Sequence, residues 1–108
     1  MTSPPDTHPS ARLNEEAVEA VAGTLRALAD PTRIRLIELL DAVGPASVGG
    51  LAASLPLTRQ AVSRQLGVLH GAGIVRRRRD GMRVVYELRD WTGLWLLGQV
   101  ADAISSAP

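Results

Sequence analysis

The sequence predicts a mainly α-helical domain carrying one small β-hairpin, and three observations predict it. Apolar residues recur at helical spacing in separate stretches, for example Val18, Val21, Leu25 and Leu28. Asp30-Pro31, Ser47 and Thr58 stand where helices would start, each offering a side-chain oxygen to free backbone N–H groups. Asp80-Gly81 separates two runs rich in Val and Arg, a strong short-range signal for a hairpin.

Composition bounds what such a domain can be. The 108 residues fit one small domain. A chain this short buries only roughly two-thirds of its unfolded surface, so association with a second copy would help it. Apolar residues make up 45%, which argues for a packed core. With one Tyr, two Trp and no Phe, that core must be built from Leu, Val, Ile and Ala. There is no Cys, hence no disulfide, no thiolate metal ligand and no thiol switch. No window holds the ~18 apolar residues a membrane span needs. The first twelve residues lack the apolar segment of a secretory signal. These features predict a soluble cytoplasmic protein with no membrane partner.

Charge is segregated along the chain. Every one of the twelve basic residues is Arg. Residues 56–89 hold eight of them against Asp80 and Glu87, for a local charge of +6. Residues 1–30 carry −3 and residues 90–108 carry −2. A basic segment of this density attracts a polyanion.

The elements follow in order. Residues 1–12, rich in Pro and small polar side chains, read as a disordered N-terminal arm, and 13–108 as the folded domain. The first helix spans Leu13 to Ala29, with Glu15 and Glu16 in its opening turn where the dipole favours anions. The second runs from Pro31 to about Asp41, with Ile34, Ile37 and Leu40 as its apolar rows. A short third helix follows Ser47, over residues 48–55. Its Gly49 and Gly50 each cost roughly 1 kcal/mol relative to Ala, so packing must hold it. Pro56-Leu57 makes a tight turn. Thr58 caps a fourth helix to about Gly71, where glycines end it. After the hairpin, Asp90 caps a fifth helix from Trp91 to about Ser105.

Two helices joined by a short turn, the second with a polar outer face and a β-hairpin directly after it, make a winged helix-turn-helix: five helices plus a wing. Val62, Leu66 and Leu69 form a buried stripe on the fourth helix. Gln60, Ser63, Arg64 and Gly67 lie opposite. Arg can bond guanine, Gln can bond adenine, and Ser or Thr can serve base edges or phosphate. Thr58, Arg59, Gln60, Ser63 and Arg64 are therefore candidate contacts to double-stranded DNA. A winged-helix protein-interaction module is the alternative, and a neutral or acidic outer face would favour it. Nothing predicts an enzyme: there is no paired His, no phosphate-binding glycine loop and no recognisable triad.

Three segments carry a family resemblance: "LADPTRIRLIELL" (28–40), "LTRQAVSRQLGVLHGAGIV" (57–75) and "RRDGMRVVYEL" (78–88). Together they resemble the ArsR-type winged helix-turn-helix repressors. The resemblance implies a homodimer that binds operator DNA through paired recognition helices and wings, with dimer contacts from the first and last helices. Arg33 matches the arginine after "DPT", Gly81 the wing-tip glycine and Tyr86 the wing tyrosine. Gly50, Gln65 and Gly67 depart from the residues frequent at those places. Many members sense metals, through a cysteine pair before the recognition helix or through Asp, His and Glu on the last helix. This chain has no Cys, and its last helix offers Asp102 and no His. His8 and His70 stand alone. No metal and no cofactor are expected, and the sequence selects no small-molecule effector.

The last helix is apolar beyond what the domain's own core needs. Trp91, Leu94, Trp95, Leu97 and Ile104, with Val18, Val21 and Leu25 of the first helix, are expected to form a two-fold dimer interface. In the wing, Asp80-Gly81 taken as the two-residue turn would set Arg78 opposite Arg83 and Arg77 opposite Val84. Val75, Val84, Tyr86 and Leu88 would then share the core face. Arg76, Arg78 and Arg83 would share the other, and Arg77 and Arg79 would reach beyond the domain edge. Arg76, Arg78, Arg79, Gly81 and Arg83 complete the expected DNA contacts, with Arg78 and Arg83 gripping the backbone.

Overall fold

The computed structural model describes residues 12–106. The expected N-terminal arm thus lies, apart from Arg12, outside the described residues. The element order is α1 (Glu15–Leu28), α2 (Pro31–Val43), α3 (Val48–Ala53), α4 (Arg59–Gly71), β1 (Val75–Asp80), β2 (Arg83–Leu88) and α5 (Thr92–Ser105). Five helices and an antiparallel two-stranded wing are the architecture the sequence predicts.

Three of the expected caps hold, one more appears, and the cap expected of Asp90 does not form. The side chains of Asp30, Ser47 and Thr58 accept hydrogen bonds from the N–H groups of Arg33, Gly50 and Ala61 at 3.0, 3.1 and 3.0 Å. Asn14 does the same for Ala17 at 2.8 Å, which starts α1 two residues later than the apolar pattern suggests. Asp90 accepts from Thr92 N–H at 2.9 Å but stands one residue before the N-cap: α5 begins at Thr92, its N-cap is Trp91, and no side chain caps it. The third helix is shorter than expected, because Ser54 N–H turns back to Leu51 at 3.1 Å. The second is longer and closes at Gly44, whose φ of 78° suits only a glycine comfortably.

The core is aliphatic, as composition requires. Leu28, Leu36, Ile37, Leu40, Leu51, Val62, Leu66, Leu69, Val75 and Tyr86 form one buried cluster. Leu36 rather than Ile34 takes the buried place on α2, and Ile34 is half-buried. Helix α5 has no buried residue of its own, but Leu94, Leu96 and Leu97 pack against the cluster from outside.

The wing differs from the sequence expectation in register. Its rungs are Val75–Leu88, Arg76–Glu87, Arg77–Tyr86, Arg78–Val85, Arg79–Val84 and Asp80–Arg83. The two-residue turn is therefore Gly81-Met82, not Asp80-Gly81. Gly81 has φ +65°, and among the described residues no non-glycine residue has positive φ. A turn with positive φ at its first central residue alone is the II′ pattern, whereas Asp80-Gly81 in a I′ turn would need two such residues. Each partner moves by two positions, so face parity survives while every rung changes. Arg78 no longer opposes Arg83. Val84 moves one rung nearer the tip and is exposed, and Val85, on the opposite face, is buried instead.

A second anchor escaped the sequence reading. Ala46, in the loop before α3, pairs with Tyr86 through two backbone hydrogen bonds of 3.0 and 2.8 Å. This bridge fastens β2 to the start of the helix-turn-helix.

Candidate nucleic-acid interface

The interface is assembled from α4 and the wing. Burying Val62, Leu66 and Leu69 turns the opposite face of α4 outward. Thr58, Arg59, Gln60, Ser63, Arg64 and Gly67 are all exposed, in the stripe the sequence predicts. Gln65 is half-buried between the two stripes and is turned inward. Its side-chain oxygen accepts a 2.9 Å hydrogen bond from Arg33.

The two faces of the wing carry their charge differently. Glu87 gathers the Arg76 and Arg78 guanidiniums, with Nε–Oε1 distances of 3.3 and 3.0 Å. The Glu87 side chain is 20% exposed while the arginines are half to two-thirds exposed, so the carboxylate is the sheltered partner. The strand alternation that puts Arg76 and Arg78 on one side of β1 puts Glu87 beside both, a signal already present in the sequence.

Arg77, on the opposite face of β1, and Arg83, which alternation sets on the Arg78 side at the tip rung, both line a groove of about 420 Å³ with Arg59 of α4. Ser47, Val48 and Gly49 at the start of α3, with Val84 and Tyr86 of β2, complete it. None of these three arginines has a salt-bridge partner among the described residues. Gly49 makes room for the Arg59 guanidinium: a Cβ there would lie 2.9 Å from its terminal nitrogen. Arg79 is exposed one rung from the tip, opposite Val84, and Gly81 forms the tip itself. So three of the expected wing contacts, Arg79, Gly81 and Arg83, lie free, whereas Arg76 and Arg78 are ion-paired. Arg77, which the sequence reading left aside, lines the groove.

Away from the basic surface, α1 and α5 expose apolar side chains. Val18, Val21 and Leu25 of α1 are exposed, as are Trp91, Trp95 and Ile104 at or on α5. Trp91 and Trp95 meet edge to face with ring centroids 6.4 Å apart. Leu94 and Leu97 are half-buried against the core and also line a groove of about 650 Å³ between α1, α2 and α5, with Leu25, Leu28 and Ile104. Among the described residues, no three His, Cys, Asp or Glu side chains cluster as metal ligands would. No helix among them is long and apolar enough to cross a membrane.

Comparison with known proteins agrees with this geometry. A family model described as a helix-turn-helix domain matches residues 28–78. The HTH-type transcriptional regulator NmtR of Mycobacterium tuberculosis is 43% identical over 82 residues, covering 76% of this chain and 68% of the relative. The transcriptional repressor SmtB homolog of Synechocystis is 36% identical over 95 residues, covering 88% and 71%. Among solved structures, the AntR antimony-specific transcriptional repressor superposes with a TM-score of 0.75 at 28% identity, over 97% of this chain and 95% of that one. The homodimeric winged helix-turn-helix DNA-binding domain (fragment 1–100) of Mb0332 from Mycobacterium bovis superposes at 0.74 with 26% identity, over 89% and 90%.

A buried-stripe helix delivered by a tight turn, followed by a basic hairpin, defines a winged helix-turn-helix transcriptional regulator rather than an enzyme. With relatives of this identity and coverage, the chain belongs to the ArsR/SmtB family of such regulators.

Proposed function

We propose that the chain is a homodimeric repressor that binds an inverted-repeat operator. In this reading the exposed stripe of α4 enters the major groove, with Gln60, Ser63 and Arg64 over the base edges and Thr58 and Arg59 at the entrance. The observation that carries it is the groove in which Arg59 of α4 meets Arg77 and Arg83 of the wing. Three guanidiniums on one concave surface, with no acidic partner among the described residues, adjoin the outer face of the recognition helix. That arrangement suits a phosphate backbone running from groove to wing. A separate apolar face supports the homodimer part of the reading. The exposed apolar residues of α1 and α5 form a face that a partner copy would cover, with α1 and α5 of each protomer meeting their counterparts.

Selection of bound sites from random duplexes tests this. The expected result is an inverted repeat with half-sites about one helical turn apart. Affinity should fall steeply with salt, because neutralised phosphates release counterions. Absence of duplex binding even at low salt would end the repressor reading. Replacing Trp95 by Glu should give a monomer in sedimentation and weaken the full operator far more than a single half-site.

A further inference from the structure

Arg33 makes three side-chain hydrogen bonds to two different parts of the fold. Its Nε donates to the Ala27 carbonyl at 2.6 Å, and one terminal nitrogen donates to the Arg26 carbonyl at 3.1 Å. The other terminal nitrogen donates to Gln65 Oε1 on α4 at 2.9 Å. The two carbonyls belong to the last turn of α1, where helix geometry leaves carbonyls short of backbone partners; that of Arg26 also accepts from the Ala29 N–H at 3.2 Å. The planar guanidinium is suited to such a task, since all three bonds use one rigid fork. Both Arg33 and Gln65 are half-buried, so water competes with these bonds less than at an open surface.

The place of Gln65 on α4 gives the contact its consequence. The residue lies between the buried stripe of Val62, Leu66 and Leu69 and the exposed stripe of Ser63 and Arg64. A bond at that edge opposes rotation of α4 about its axis, which packing of smooth aliphatic side chains resists less well. The other end of the tie is α1, which carries the exposed Val18, Val21 and Leu25. We propose that Arg33 is a positioning residue: through Gln65 it locks the recognition helix to the end of α1, and so sets the separation of the two recognition helices in the dimer. This rests on the homodimer reading above, in which α1 belongs to the shared face.

The test separates positioning from mere stability. Arg33→Ala would strip the α1 carbonyls of a partner and could unfold the chain, so the informative variant is Gln65→Met. It keeps a flexible side chain of similar length but lacks the acceptor. Gln65→Glu is the rescue, since its carboxylate still accepts from Arg33. Each protein is titrated with one set of duplexes, in which the selected half-site is repeated as an inverted pair with the spacer varied one base pair at a time, and with a single half-site. For Gln65→Met the expected result is near-wild-type Tm and single-half-site affinity, with preference for the best spacer reduced about tenfold, the scale of a lost hydrogen bond to a charged group. Gln65→Glu should restore the preference. An unchanged spacer profile in Gln65→Met overturns the tie, as does a loss equal at every spacer and at the single half-site. A wild-type chain that prefers no spacer at all overturns the dimer reading and the tie together, because there is then no separation to set.

Discussion

The two faces of the wing begin with the same side chain and end with different chemistry. On one face Arg76 and Arg78 converge on Glu87. Arg77 of the other face stands with Arg59 and with Arg83 of the tip rung around an open groove, and none of the three has a salt-bridge partner among the described residues. Alternation along β1 divides "RRRR" two and two, and one carboxylate on β2 makes the division unequal. An arginine already held by a carboxylate must give up that partner to take a phosphate. A free one loses only water and mobility. Number of positive charges is therefore a poor guide to where a polyanion is gripped; their existing partners matter as much.

The sharpest way to break this contrast is to remove the ion-paired arginines and the groove arginines in turn. The double variant Arg77→Ala/Arg83→Ala should weaken duplex binding at least about tenfold, alike for all sequences, and flatten the salt slope by about 2, since each phosphate left without its arginine is worth about 0.9. Arg76→Ala/Arg78→Ala should cost several-fold less, because Glu87 already occupies those groups. Equal losses from the two doubles, read by fluorescence anisotropy at several salt concentrations, would show that the ion pairs count for nothing.

A second variant works from the acidic side. Glu87→Gln should release Arg76 and Arg78, raise affinity for non-specific duplex several-fold and steepen its salt slope by about 1 or more. Its effect on Tm should be small, since ion pairs of partly exposed groups are worth about 0–1 kcal/mol. A shift to weaker binding would mean that Glu87 orients the two arginines toward DNA instead of holding them from it.

Gly49→Ala touches the open face more gently. The added methyl would press on the Arg59 guanidinium, which is the movable end of a long side chain, so the domain should keep its Tm. Affinity should drop about two- to fivefold, within the roughly 0.5–1 kcal/mol expected for re-aiming one exposed side chain. No change at all would show that Arg59 need not lie in the groove.

The smallest expected effect serves as the control away from both faces. The Asp90 carboxyl lies below its ordinary value of 3.8, first because the Thr92 N–H and side chain hydrogen-bond to it, with Arg89 adding a weaker attraction. A lowered value means the carboxylate form is favoured in the fold, so its stabilisation is present above 3.8 and fades as pH falls through the lower folded value. Asp90→Asn should give a slightly lower Tm than wild type at neutral pH, a gap that closes in acid, and unchanged duplex binding. The side chain is fully exposed, so the gap is expected to be near the limit of calorimetry.

Much of this molecule is legible without coordinates. The capping residues Asp30, Ser47 and Thr58 and the stripe of Val62, Leu66 and Leu69 are local features, and each produced the element expected of it. Their interactions reach three or four residues along the chain, which a linear sequence displays directly. The polar face of α4 follows from the same periodicity. Strand parity was equally local, so Arg76 and Arg78 kept to one face of β1 and Arg77 and Arg79 to the other despite a wrong register.

What depended on the folded chain is what joins distant residues. The wing register, with its II′ turn at Gly81-Met82, and the bridge that ties Ala46 to Tyr86 are both such features. Val85 rather than Val84 was buried because a strand's faces are covered only where other elements reach them. The bond from Arg33 to Gln65 spans 32 positions, and the groove unites Arg59 with Arg77 and Arg83. Periodicity carries information over a helical turn or a strand rung; contacts between elements are chosen by how whole elements pack, and that choice is shared among all of their side chains at once.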